Sequence, residues 1–328
     1  MIRFGIVGTN FISDQFCDAV NKSGAAVCIA VYSRAQLTGQ AFAQKHGVEH
    51  VYTDYAQMLQ SDIDAVYIAS PHVCHCEQSL AAIRAGKHVL VEKAAALNRV
   101  QFSRMEEAAR TAGVVLLEAM RPVFDPALSL LRASLPQLGT LRHASFSFCQ
   151  YSSRYDRFLA GERMNAFDPT LCNAAVMDIG VYCAAMAAAL FGAPDAVAAG
   201  CVRLLNGFEG SGCAVLRYGE KTCTLTYAKT YQAENRCEIF GERGTLLFDA
   251  PSKPRNLRLS LRGEEIREIP FVPAENNMVF EVQAFCRMIE EGVDASPYQR
   301  LTAQTLEILD AVRRQNGIRF AADEESAM

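Results

Sequence analysis

Residues 1–13 (MIRFGIVGTNFIS) limit what this chain can fold into more than any other stretch. An apolar run reaches Gly8 and passes through Thr9 and Asn10 into Phe11, Ile12 and Ser13. That is the order of a buried first strand, a tight turn and a helix start, the arrangement that receives a dinucleotide pyrophosphate. Glycine is needed there because phosphates must approach bare backbone N–H groups, where the unpaired donors and dipole of a helix N-terminus favour an anion. Gly8 supplies the first glycine of the fingerprint. Asn10 stands at the second position, where it tolerates a left-handed backbone but adds a side chain. Ser13, small enough for close helix–strand packing, stands at the third. The turn predicts cofactor contacts from Gly8, Thr9, Asn10, Phe11 and Ile12; taken alone, it also reads as an ordinary strand and turn with no ligand.

The chain downstream repeats the alternation. Strand-like runs at 25–32, 51–52, 64–69, 88–91 and 114–117 alternate with helical stretches at 14–22, 35–46, 55–60, 77–85 and 101–111. This pattern predicts an α/β Rossmann domain over residues 1–120, a doubly wound parallel sheet covered on both faces. Its ligands lie beyond the carboxyl ends of its strands, where Ser33, Ser70 and Glu92 fall. Past Ala119 the pattern changes. One helix is predicted over 121–135, an alternating strand over 141–150, an irregular aromatic loop facing substrate over 152–172, and an Ala-rich helix ending at Phe191. From 196 to 271 short strand runs are separated by glycine-containing spacers, which favour local antiparallel turns. The second domain, 121–328, is therefore expected to be α+β, a mostly antiparallel open sheet flanked by helices with one outer face available to a subunit partner. Helices at 275–290 and 301–313 could serve either domain, and 321–328 reads as a fraying polar tail.

With 328 residues, half of them apolar, the chain is long enough for two cores. A net charge of −4, and no Lys/Arg block with interleaved aromatics, argue against nucleic acid as a partner. The apolar stretch between Asp178 and Asp195 falls short of the roughly 20 residues that span a bilayer, so no membrane partner is expected. Twelve cysteines without paired CxxC spacing, and no secretory leader, fit buried thiols in a reducing cytoplasm. Cys74, His75 and Cys76 are too crowded to face one metal, and none is expected.

Three segments carry a resemblance that covers nearly the whole chain: the turn Gly8 to Ser13, the run EKAAALN at 92–98, and DIGVY at 178–182. Together with the lead-in AIRAGKHV at 82–89, they resemble the glucose–fructose oxidoreductase/inositol dehydrogenase (Gfo/Idh/MocA) family of NAD(P)-dependent oxidoreductases. Tyr182 and the run Glu118, Ala119, Met120 look most like the branch holding dimeric dihydrodiol dehydrogenases and NADP-dependent xylose dehydrogenases. The resemblance implies hydride transfer between a nicotinamide and a secondary alcohol or hemiacetal carbon of a sugar, cyclitol or small diol. It also implies a homodimer or homotetramer formed through the C-terminal sheet. In that branch the residues matching Lys93 and Tyr182 lie at the nicotinamide with the one matching Asp178 nearby, and Ser70, His72 and His75 resemble the turn beside it.

The chemistry asks for the same residue types. Oxidising a secondary alcohol requires a group that takes the hydroxyl proton, and the reverse reaction uses it as an acid. Tyr182 is the first choice: a phenol titrates near pH ~10, and an ammonium beside it favours the phenolate, which gives Lys93 its role. Lys93 could equally hydrogen-bond the substrate oxygen. On a helix Asp178 and Tyr182 share a face, so Asp178 would orient substrate hydroxyls or hold Lys93. Cofactor choice rests on the end of the second strand, where an NAD site carries Asp or Glu and this chain has Ser33 and Arg34. An arginine holds a 2′-phosphate that a carboxylate would repel, so NADP is favoured and NAD remains possible. Four positions depart from the family pattern: Asn10 for glycine, Ala94 for the proline after the lysine, Asn173 for glycine, and Arg121 for an aromatic. Ala94 leaves the peptide after Lys93 open to either a cis or a trans bond. These departures keep a catalytically silent dinucleotide sensor or scaffold as the alternative, with a reductase of conjugated or imine-like substrates as a third reading.

Overall fold

The structure, a computed structural model, describes residues 1–323. Two compact units divide the chain, the first formed by Met1–Met120 with Glu275–Thr302, the second by residues 121–274 and 303 onward.

In the first unit β1 (Ile2–Val7), α1 (Phe11–Ser23), β2 (Ala26–Tyr32), α2 (Gln36–His46), β3 (His50–Tyr52) and α3 (Tyr55–Leu59) lead to β4 (Ala65–Ile68). Then come α4 (His72–Arg84), β5 (His88–Glu92), α5 (Arg99–Ala112) and β6 (Leu116–Ala119). The six strands pair in parallel in the order β3-β2-β1-β4-β5-β6. Residues of β4 are buried throughout, as a strand covered on both faces requires. Val7 pairs with Tyr32 on one side and Ile68 on the other. The chain therefore leaves β1, β2 and β4 at one level, where the strand order reverses and such sheets take ligands.

Helix α4 begins five residues earlier than the sequence pattern suggests, with Pro71 at its N-cap position, so His72 and His75 lie one turn apart on it. Phe16 of α1 stacks on Tyr67 of β4 at 3.6 Å, and Phe4 lies between Phe16 and Phe285. Phe285 comes from the later helix Met278–Glu290, and Asn276 donates to Gln15 O at 2.8 Å, which places that helix on α1.

The second unit opens with α6 (Arg121–Phe124) and α7 (Pro126–Ser134) rather than the single expected helix. Asp125 accepts from Ala127 N at 3.0 Å, and Pro126 fits the first turn of α7 while offering no N–H to continue α6. After β7 (Leu141–Cys149) come the short α8 (Tyr155–Leu159), a π turn at Val176–Gly180, and α9 (Val181–Phe191). The remaining strands are β8 (Ala196–Arg203), β9 (Glu209–Tyr218), β10 (Lys221–Ala228), β11 (Arg236–Gly241), β12 (Gly244–Asp249), β13 (Arg255–Leu261) and β14 (Arg267–Glu268). The helix Met278–Glu290 is α10, and α11 (Ser296–Gln315) contains the division between the units.

The eight strands order as β14-β13-β12-β11-β7-β10-β9-β8, all neighbours antiparallel except β7 with β10. One face buries Phe146, Leu216, Leu225 and Phe248, and α9 is buried from Val181 to Ala188. On the other face Ala198, Val215, Thr224 and Ser145 align in one transverse row. The terminal stretch does not fray at its start: Arg313 donates to both Asp323 oxygens, at 2.7 and 3.0 Å. The rest of the expected tail, 324–328, lies outside the described residues. No helix among the described residues is long and apolar enough to cross a membrane.

Tyr227 joins the sheet to the π turn. A Cβ at Gly180 would lie 3.0 Å from its ring and one at Gly212 would lie 2.5 Å from its hydroxyl, so both glycines make room for it. Its hydroxyl donates to the buried Glu209, which also accepts from Val176 N at 2.8 Å. Gly212→Ala is expected to destabilise the fold by about 1–3 kcal/mol through overpacking against Tyr227, read as a lower urea midpoint with an unchanged slope.

Candidate active site

Gly8 has φ +102°, and a Cβ there would lie 2.8 Å from Ala69 O. Both the conformation and the close approach exclude a side chain, which is the bare-backbone cradle a pyrophosphate needs. Asn10 turns its side chain into the protein. Its Oδ1 accepts from Ile12 N at 2.9 Å and Ser13 N at 3.4 Å, while Nδ2 donates to Ala69 O at 2.7 Å. Asn10 thus caps α1 and ties the turn to the end of β4, and the Ile12 amide serves the cap. Phe11, the first helical residue, is exposed.

At the end of β2 the buried Ser33 donates to Ala35 O at 3.0 Å. Arg34 is exposed and has no hydrogen bond or ion pair among the described residues; its charge reaches the Cys74 thiol on α4. The exposed Arg34 fits a dinucleotide carrying a 2′-phosphate. Ser70, like Ser33, spends its hydroxyl within the protein, on Gln78 Oε1 at 2.6 Å.

The chain leaves β5 at Glu92, and the Lys93–Ala94 peptide bond is cis. Side chains hold the backbone there. Lys93 N donates to Glu92 Oε2 at 3.2 Å, and Glu92 Oε1 accepts from Tyr67 Oη at 2.6 Å. His72 Nε2 lies 3.2 Å from Lys93 O, and His75 Nδ1 lies 2.9 Å from Ala94 O. Ala95 N donates to Glu118 Oε1 at 2.9 Å, and Glu118 Oε2 accepts from Thr302 Oγ1 at 3.0 Å. Burial pushes Glu118 up to about 7, with the Ala95 amide and the Thr302 hydroxyl opposing the shift and Glu92 adding to it. His75 is 1 % exposed, its Nε2 2.9 Å from Ser70 O, and burial lowers its pKa. The sequence suggests that His75 lies beside a nicotinamide; the structure places it beneath the surface with both ring nitrogens against carbonyls.

In the second unit Asp178 lies in the π turn and Tyr182 in the first turn of α9. Tyr182 is 5 % exposed, edge-on to Phe148 at 5.6 Å, with the Arg121 guanidinium 6.0 Å from its ring. Arg121 thus meets Tyr182 in a cation–π contact.

Asp178 Oδ2 lies 2.8 Å from the Lys229 ammonium. Lys229 is 3 % exposed, donates to Ala166 O at 2.8 Å, and sits 5.0 and 5.3 Å from the rings of Phe167 and Phe208. A cation so deeply buried is retained only when paired, and this one fixes Asp178 to the loop that carries Ala166 and Phe167. Sequence reasoning misses Lys229. Its only signal is a lone lysine directly after the run 222–228, which looks like any strand end.

Two units of this kind, one a doubly wound sheet with a phosphate cradle and the other an open sheet carrying an Asp/Tyr segment, define a dinucleotide-dependent oxidoreductase. Residues 2–120 match the family described as "Oxidoreductase family, NAD-binding Rossmann fold" and residues 136–247 match the "GFO/IDH/MocA C-terminal domain". The chain is 38% identical over 328 residues to scyllo-inositol 2-dehydrogenase (NADP(+)) IolU of Bacillus subtilis (strain 168), covering 99% of this chain and 100% of that one. It is 28% identical over 341 residues to trans-1,2-dihydrobenzene-1,2-diol dehydrogenase of Homo sapiens, covering 98% and 99%. Among solved structures, the 3-ketoreductase KijD10 of Actinomadura kijaniata in complex with NADP and TDP-benzene shares the fold at TM-score 0.86 and 24% identity, covering 96% and 98%. The chain belongs to the GFO/IDH/MocA family of NAD(P)-dependent oxidoreductases.

The raised pKa of Glu118 gives stability a definite pH dependence. An unfolded glutamate releases its proton near 4.5 and the folded one near 7, so the folded chain alone holds the proton between those values. Stability present below pH 4.5 is lost as pH rises through about 7, by up to ~3 kcal/mol. Glu118→Gln is expected to raise the urea unfolding free energy at pH 8 and leave it nearly unchanged at pH 4.5; destabilisation at pH 8 would reverse the sign of this argument.

Proposed function

We propose that this chain is an NADP-preferring dehydrogenase acting on a secondary alcohol or hemiacetal carbon of a cyclitol, sugar or small diol. The observation that carries the reading is Lys93, presented by a backbone that side chains hold at four polar groups between Lys93 N and Ala95 N, in a chain whose DIGVY segment is fixed by a buried lysine. The substrate class is supported by two relatives, an inositol dehydrogenase and a diol dehydrogenase. Bound NADP would supply or accept the hydride. Gly8, Thr9 and Phe11 would hold its pyrophosphate, and Ser33 and Arg34 its 2′-phosphate. Tyr182 exchanges the hydroxyl proton with the substrate, while Lys93 steadies the oxygen as negative charge builds on it. Asp178 accepts from neighbouring hydroxyls of a polyol and so orients the ring.

Turnover is expected in a panel of inositols, aldoses and trans-diols followed by reduced-cofactor absorbance. Lys93→Met and Tyr182→Phe should each lower kcat by about a hundredfold or more with NADP affinity retained. Arg34→Ala should lower kcat/KM for NADP by about tenfold and spare NAD. NADP binding with no turnover across the panel would favour a silent sensor instead.

The second-unit sheet supports a homodimer or homotetramer. Over β8, β9, β10 and β7 its outer row of Ala198, Val215, Thr224 and Ser145 is small and uncharged, up to Glu238 on β11, which suits that part to an isologous contact with a second copy. All twelve cysteines are free thiols, most of them buried, which supports a cytoplasmic setting. Light scattering should show an oligomer that Val215→Asp converts to monomers; a monomeric parent protein would overturn the assembly.

A further inference from the structure

We infer that His72 and His75 are a pair of positioning residues that aim Lys93, one through the carbonyl of Lys93 itself and one through that of Ala94. The inference rests on Lys93 acting on the substrate as proposed above. His72 Nε2 meets Lys93 O at 3.2 Å and His75 Nδ1 meets Ala94 O at 2.9 Å. The two histidines are one turn apart on α4, with rings edge-on at 5.5 Å, so one rigid helix grips both carbonyls. His75 is buried beneath the loop, and its second nitrogen is taken by Ser70 O at 2.9 Å. It therefore acts through the backbone and touches neither substrate nor cofactor. A carbonyl only accepts, so a hydrogen bond needs an N–H on the facing nitrogen: His72 carries it on Nε2, and a neutral His75, with one N–H between two carbonyls, carries it on Nδ1 toward Ala94 O.

The two rings use different nitrogens, and this gives the pair a signature that mere structural support lacks. An asparagine amide falls near the position of an imidazole Nδ1, and a glutamine amide near that of Nε2. At position 75 the contact to Ala94 O uses Nδ1, so His75→Asn keeps it and His75→Gln keeps only the one to Ser70 O. At position 72 the contact uses Nε2, so His72→Gln keeps it and His72→Asn loses it.

The expected result is a crossed pattern. His75→Asn and His72→Gln retain kcat within about threefold of the parent, while His75→Gln and His72→Asn lose about ten- to a hundredfold. KM for NADP should stay within about twofold in all four, because the loss is one of aim and not of cofactor binding. Equal losses from Asn and Gln at each position, or losses that appear only in KM for NADP, overturn the inference. Should the buried position 75 tolerate neither variant, the pair at the half-buried His72 decides alone. Lys93→Met separates the two claims. If it turns over like the parent, the functional reading fails; if it is inactive and the crossed pattern is missing, the inference about the histidines fails by itself.

Discussion

A backbone that leaves a buried strand must still find partners for its N–H and C=O groups, and much of the first unit follows from how this chain meets that demand after β5. From Lys93 N to Ala95 N, side chains take part in supplying them. Those side chains are Glu92, His72, His75 and Glu118, drawn from β5, α4 and β6. Leaving such a group unpaired costs roughly 1–3 kcal/mol, so four of them within three residues amount to a constraint comparable to the net stability of a domain. It explains why a carboxyl as disfavoured by burial as that of Glu118 is retained. It also explains why Tyr67, at the centre of the core, turns its hydroxyl to Glu92.

The second unit meets a different demand, holding a carboxylate at the surface of a sheet. Lys229 does this from β10's end, and the cost of burying its ammonium is offset by Asp178, Ala166 O and two aromatic faces. Glu209 and Tyr227 anchor the other end of the π turn. The Asp178 segment is thus fixed from below by groups that have no part in the chemistry proposed for it.

The parallel sheet is legible in the sequence because continuous apolar runs such as 64–69 read as strands buried on both faces, and the glycine spacers between later runs read as hairpins. The break between α6 and α7 is written in Asp125 and Pro126, but a helical period across 121–135 overrides it. Likewise Pro71 looks like the end of an element when it is the start of one, which hides the histidines' common helix. Lys93, Asp178 and Tyr182 are visible because a family resemblance marks them. Lys229, Glu118 and the histidine contacts are not, since they depend on pairings across tens of residues that leave no periodic trace. Asn10 lies between these cases: its residue type predicts a turn, but only the structure shows its amide reaching Ala69.

The carboxyl-terminal stretch has a bearing on the last helix. Asp323 supplies both oxygens to an Arg313 guanidinium that is 3 % exposed and lies 4.4 Å from the Phe320 ring. Loss of Asp323 would take one of two carboxylates away from a cation with little access to water, leaving Asp310 to balance it. The Asp323 carboxylate thus acts as a counter-ion that the last helix needs in order to keep a guanidinium inside the fold.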